Sequence, residues 1–213
     1  DNLGRLLAAL DELGLAQDTV VVFSSDNGYY LGEHSLGDKR SVYDESLRIP
    51  FLARYPRQFP KGKLVDEMVL NLDLAPTWLD LAGVAAPREM QGRSWRPLAA
   101  GRRTEWRQAF FAEYFLENAF PTTPTVLAVR TAGAKLIKYP GHDDWTELFD
   151  LTADPYETKN LARDPAHAAL LERMNREFDR EARAVNYAVP AYADKPGEAP
   201  TPAKKTTKAK KKQ

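Results

Sequence analysis

The 213 residues contain no cysteine and only three histidines and three methionines. Without cysteine there is no disulfide framework, no thiolate metal site and no cysteine nucleophile within these residues. No apolar run approaches the roughly 18 residues that a membrane span requires, and no basic-then-apolar leader opens the chain, which starts at Asp1. Net charge is also missing: 30 basic residues balance 30 acidic ones, although six lysines and no acid fall in residues 201–213. The neutrality is an average over an acidic body and a basic end. Aromatic residues do not interleave with those lysines, which argues against a single-stranded nucleic-acid groove.

What is present is a packed-core composition, 43% hydrophobic, and one stretch that organises the rest. Thr19, Val20, Val21, Val22 and Phe23 form a β-branched and aromatic run that stops abruptly at Ser24-Ser25-Asp26-Asn27-Gly28. This pattern predicts a buried strand delivering polar side chains to a loop at its carboxyl end, where open α/β sheets hold their ligands. Asp26 and Asn27 offer one formal negative charge and hard oxygen donors, which suit Ca²⁺ or Mg²⁺ and not zinc or copper. Asp-Asn-Gly is also a common plain turn.

The full segment S-D-N-G-Y-Y-L-G-E-H-S-L-G-D-K-R, with S-V-Y-D-E-S-L-R-I-P-F after it, resembles the second signature of the type I, formylglycine-dependent sulfatases of the alkaline phosphatase superfamily. A second resemblance lies in W-T-E-L-F-D-L-T-A-D-P-Y-E-T-K-N-L-A, residues 145–162, which is similar to the closing motif of the sulfatase C-terminal subdomain. The helix N-L-D-L-A-P-T-W-L-D-L-A-G and the loop Gln91-Gly92-Arg93-Ser94 with Pro97-Leu98 also match the family.

Carried over residue by residue, the resemblance implies that Asp26 and Asn27 are ligands of an active-site calcium ion. It implies that Lys39 contacts the sulfate group, and that His34 belongs to the family's Gly-Glu-His step, as a catalytic residue or as a buttress of the loop. A divalent cation and a lysine point charge form an apt clamp for a sulfate ester. The family nucleophile, a formylglycine in a Cys/Ser-x-Pro-x-Arg context, has no counterpart in these residues. The expectation is an upstream portion that supplies it, with the present chain inactive alone. The implied partner is a sulfated small molecule or polysaccharide, and the implied compartment is periplasmic or extracellular.

The expected fold is a partial alkaline-phosphatase-like α/β sandwich in residues 1–105, an α+β subdomain with a small antiparallel sheet and terminal helix in 106–185, and a disordered Lys-rich tail in 186–213. Leu3, Leu6, Leu7, Leu10 and Leu13 mark a helix packed on the sheet. Arg48–Arg54 is the second strand, expected parallel to the first, with Pro50 at its start or on an edge. So apolar a pair of strands needs cover on both faces and neighbours on both edges, more than these residues provide.

Asp73 is expected to cap the helix that follows. Asp44 and Glu45 read as solvated acids. Four short runs between Gln108 and Asp150 predict an antiparallel sheet with a hairpin turn at Ala132-Gly133. Asp154 to Glu157 form a turn, and Asp164-Pro165 start a last helix carrying Leu171, Met174 and Phe178. Glu113-Tyr114 and the loop His142-Asp143-Asp144 are further positions that could face a sugar or an aromatic leaving group. Two other readings stay open: a phosphonate or phosphodiester hydrolase of the same superfamily, and a non-catalytic polyanion binder held by the lysine tail.

Overall fold

A computed structural model describes residues 1–116, 120 and 123–189. Of the expected tail 186–213, residues 190–213 lie outside the described residues, while Tyr187 packs on Phe111 and Phe115 and so belongs to the folded unit. In chain order the elements are α1 (Asn2–Glu12), β1 (Val21–Ser24), β2 (Tyr30–Leu31), β3 (Gly37–Asp38), α2 (Asp44–Leu47), β4 (Phe51–Arg54), α3 (Leu74–Leu81), α4 (Arg96–Ala99), β5 (Ala109–Tyr114), β6 (Val126–Thr131), β7 (Ala134–Lys138), β8 (Glu147–Asp150) and α5 (Ala168–Ala184). They fall into two compact units: residues 1–29 with 47–108, and 30–46 with the chain from 109 onward.

In the first unit β1 pairs with β4, and the pairing is antiparallel, from Val21 opposite Arg54 to Ser24 opposite Phe51. The expectation of a parallel pair is therefore corrected. Apolar runs report burial and do not encode direction, so the reading had no basis for choosing one. β4 begins directly after Pro50, which has no N–H to give to a ladder.

One side of this ribbon packs on Phe59, Trp95, Leu98 and Trp106, with Val20, Val22 and Phe51 against them. Its other side is more open, Phe23 being 46% and Leu52 61% exposed. α1 buries none of its residues. Leu3, Leu7 and Leu10 of its leucine stripe are half-buried, and Arg54 of β4 reaches Asp11 of the helix at 2.7 Å.

Asp73 precedes α3, but its side chain does not cap that helix. It accepts instead from the amides of Leu70 and Arg93, both at 2.8 Å, and from the Arg107 guanidinium at 2.5 and 2.6 Å. A carboxylate with no solvent exposure gains more from a bidentate guanidinium than from a helix end. Gly92 is fixed by close approach: a Cβ there would lie 2.1 Å from the Leu72 carbonyl oxygen.

The second unit carries the predicted antiparallel sheet, in the order β5-β6-β7-β8. The two-residue turn at Ala132-Gly133 joins β6 to β7, and the Thr131 hydroxyl bonds across it to Ala134. Leu127, Val129, Leu136 and Leu148 meet Met174 and Phe178 of α5. These are the period-two and helical positions that the sequence predicts. The alternate face, with Lys135 and Phe149, receives residues 30–46: Tyr43 packs on Phe149 with ring centroids 6.1 Å apart.

Asp164 takes the amide of Ala166 at 2.9 Å, with Pro165 following it, as expected of a helix start. Asn160 docks the chain end by accepting from Leu148 and Ala162.

Candidate functional site

Asp26 and Asn27 stand just beyond β1. The Ser25 hydroxyl donates to the Asn27 carbonyl at 2.8 Å, and the Asn27 amide nitrogen donates to the Gly28 carbonyl at 2.6 Å. These bonds close a tight turn, while Asn71 reaches the Asp26 carbonyl at 3.4 Å. The Asn27 amide also carries an oxygen, a hard donor. The Asp26 side chain is exposed. Together they offer two hard oxygen donors, which fits calcium, an ion that takes six to eight. Among the described residues no group of three or more His, Cys, Asp or Glu could hold a metal ion. The donor set is compatible in kind and incomplete in number.

His34 and Lys39 lie in the second unit, on the segment 30–46. On this segment β2 and β3 pair over two residues each, Tyr30 with Asp38 and Leu31 with Gly37. The loop so pinched off holds two non-glycine residues at positive φ, His34 at 53° and Ser35 at 59°, and Asp38 of β3 is a third at 73°. Each such residue costs on the order of 1 kcal/mol or more and persists only where surrounding contacts impose it.

The contacts are visible. The His34 imidazole lies 3.1 Å from Glu45 Oε2 and stacks on Tyr43 at 3.9 Å, with an interplanar angle of 8°. Glu33 accepts the Leu31 amide at 2.6 Å, and bonds from its own and the Leu31 amide hold its carboxyl below the usual range. These partners make His34 an anchor of the loop. Lys39 is exposed, and its carbonyl accepts the Ser46 hydroxyl.

Beneath the loop is a network that the sequence reading missed. Asp44, read as solvated, accepts from Arg130 at 3.0 and 2.8 Å and from the Lys135 ammonium at 2.6 Å. Lys135 has no solvent exposure; it also donates to the Val42 carbonyl at 3.0 Å and lies 2.7 Å from Glu157. Glu157 in turn accepts the Asp44 amide at 2.7 Å. Glu45, also read as solvated, is tied to His34.

Burial alone would raise the Asp44 carboxyl, but Arg130 and Lys135 outweigh it and bring it down to about 2. For Glu157 burial wins over Lys135, and its carboxyl is pushed up. A lysine inside a short apolar strand was the one available signal, since an unpaired cation there would be prohibitive.

Tyr43 donates to Glu147 at 2.7 Å and Tyr139 donates to the other oxygen of Glu147 at 3.0 Å. Burial, with the charge of Glu147 nearby, pushes both phenols above their usual range. Burial takes Tyr30 up to about 12. His142 stacks on Trp145 at 4.0 Å and His167 pairs with Asp164 at 3.0 Å.

The fold of this chain recurs in solved structures. BT4656, solved in complex with its substrate D-glucosamine-2-N,6-O-disulfate, aligns with a TM-score of 0.81 and 32% identity, over 87% of this chain and 38% of that one. The phosphonate monoester hydrolase SpPMH from Silicibacter pomeroyi aligns with a TM-score of 0.74 and 32% identity, over 85% and 38%. The fold is that of the C-terminal portion of alkaline-phosphatase-superfamily sulfatases.

Residues 32–184 match the family model described as N-sulphoglucosamine sulphohydrolase, C-terminal, and the chain belongs to that family. It is also 37% identical over 164 residues to an N-acetylglucosamine-6-O-sulfatase of Bacteroides thetaiotaomicron, covering 76% of this chain. The chain spans 29% of that relative's length.

Proposed function

We propose that the protein to which this chain belongs is a sulfuric ester hydrolase that removes sulfate from a sulfated sugar. The observation that carries this reading is the Asp26-Asn27 pair presented beyond β1, in a chain whose residues 32–184 match a sulfohydrolase family.

In this reading the Asp26 carboxylate and the Asn27 amide oxygen are two ligands of a calcium ion, and Lys39 holds a sulfate oxygen by charge. The ion supplies electrostatic stabilisation of the sulfate oxygens when bound. His34, fixed by Glu45 and Tyr43, keeps the loop that bears Lys39 in its strained conformation. The nucleophile and the remaining ligands come from residues outside these 213, so the chain alone turns over no sulfate ester.

The relatives point to a glycan substrate: one is named for a 6-O-sulfated N-acetylglucosamine and one was solved with a disulfated glucosamine. The compartment proposed is periplasmic or extracellular. Among the described residues no helix is long and apolar enough to cross a membrane.

The likeness to a phosphonate monoester hydrolase favours a second reading, in which the same Asp, Asn and Lys serve a phosphonate ester. Both are tested on the full-length parent by measuring release of sulfate from N-acetylglucosamine 6-sulfate and of phenol from phenyl phenylphosphonate. The first reading expects sulfate release, with Lys39→Ala lowering kcat by roughly 10²–10³-fold, as when one oxyanion contact is removed. Turnover of the phosphonate ester alone would overturn it in favour of the second.

A further inference from the structure

The second unit contains a cleft of about 660 Å³ that the sulfate chemistry does not use, with Tyr139, Asp144, Trp145, Glu147, Asn160 and Arg163 on its walls. Its size lies in the range of small-molecule sites. We propose that it is a carbohydrate subsite, which takes an unsulfated pyranose unit of a glycan against the Trp145 indole.

Three features carry the assignment. The first is the aromatic platform. Trp145 is 44% exposed although His142 covers one face, at 4.0 Å and an interplanar angle of 9°, and Tyr139 meets it edge-on at 5.8 Å. The exposure therefore comes from its other face and rim, held still by two rings. A flat apolar surface of this kind matches the C–H face of a pyranose.

The second is preorganisation of the polar wall. Glu147 is locked by the Tyr43 and Tyr139 hydroxyls, Asn160 by the amides of Leu148 and Ala162 and by the Thr146 carbonyl, and Arg163 by the Asp144 carbonyl at 2.7 Å. Little side-chain freedom remains to be lost on binding. Glu147 retains lone pairs for sugar hydroxyls, because a carboxylate has about four acceptor sites.

The third is the balance of charge. Two carboxylates, Asp144 and Glu147, stand against the single guanidinium of Arg163. Such a lining repels a sulfate group and accepts hydroxyl donors, so the unit bound here is a neutral one.

The proposal deepens the sulfatase reading and rests on it for the identity of the glycan. Its test is made independent of turnover. N,N′-diacetylchitobiose is titrated into the 213-residue chain, and the indole N–H resonances of its four tryptophans are followed by NMR, with calorimetry alongside. The expected result is movement of the Trp145 resonance, identified by its loss in Trp145→Phe, with millimolar or tighter affinity.

Trp145→Ala should weaken binding roughly ten-fold, a ratio read directly from the two Kd values. Trp145→Phe, which keeps a ring, should weaken it less, and inorganic sulfate should leave the resonance where it is. Absence of binding at 10-fold higher sugar, equal binding by Trp145→Ala in a folded sample, or displacement by sulfate would each overturn the proposal. A parent that lacks sulfatase activity would leave this titration intact. A parent that releases sulfate while its chain ignores the disaccharide would refute the subsite alone.

Discussion

Two aspartates, Asp73 buried and Asp44 half-buried, meet their cations in different ways. In the first unit Asp73 meets one guanidinium and two backbone amides, a closed set of one anion and one cation. In the second, Asp44 shares Lys135 with Glu157 and adds Arg130, so two acids and two cations form a chain of contacts. Buried ion pairs contribute little net stability but are costly to break. Their usefulness here lies in what they join: Asp73 ties the start of α3 to Arg93 and Arg107, and the Asp44 network ties the segment bearing Lys39 to the sheet. The network is the more adaptable of the two, because Glu157 can take up a proton when its cation is lost.

The largest expected effect comes from breaking the closed set. Asp73→Ala leaves the Arg107 charge without its carboxylate and two amides unsatisfied, and should cost about 3–5 kcal/mol. Urea unfolding followed by the fluorescence of buried Trp95 and Trp106 reports it; a loss under about 1 kcal/mol would mean that the pair contributes no constraint.

Lys135→Met should cost somewhat less at neutral pH, about 3 kcal/mol, because Glu157 can neutralise. Its pH dependence is a further check. A carboxyl whose folded pKa is raised contributes stability that is present below its ordinary value of 4.5 and lost as pH rises through the folded value. The deficit of the Lys135→Met variant should therefore shrink on acidification.

In the wild-type chain Asp44 has the opposite sign. Held down at about 2, it contributes stability above its ordinary value of 3.8 that is lost as pH falls toward 2. Thermal melts from pH 5 to pH 2 should fall more steeply for wild type than for Asp44→Asn. Parallel curves would show that the network does not hold the Asp44 charge. The smallest effect belongs to the exposed pair Arg176–Glu172 on α5, whose side chains are two-thirds or more exposed. Arg176→Ala should cost about 0.3–0.5 kcal/mol, and high salt should abolish even that.

Much of the second unit could be read from the chain. Period-two runs, Ala132-Gly133 and the Asp164-Pro165 start gave the sheet, its hairpin and the last helix, because each is a local consequence of backbone geometry. The Asp-Asn turn was legible for the same reason, and the roles proposed for Lys39 and His34 rest on the resemblance. The direction of the β1–β4 pair was not legible, since apolar runs say nothing about orientation. Asp44 was misread because nothing near it in the chain shows that Lys135, 91 positions away, is brought to it. Asp73 failed as a cap for a related reason: Arg107, 34 positions on, outcompetes the helix amides.

The sequence alone determined which segments turn, pair and coil, and which residue types stand beyond β1, because those choices depend on neighbours a few positions away. Only the tertiary structure decided which buried acid meets which cation, that His34 is pinned between Glu45 and Tyr43, and that Trp145 faces a cleft walled by fixed polar groups. Such pairings join residues far apart in the chain. Their strength depends on burial, which removes competing water, and that is a property of the folded whole.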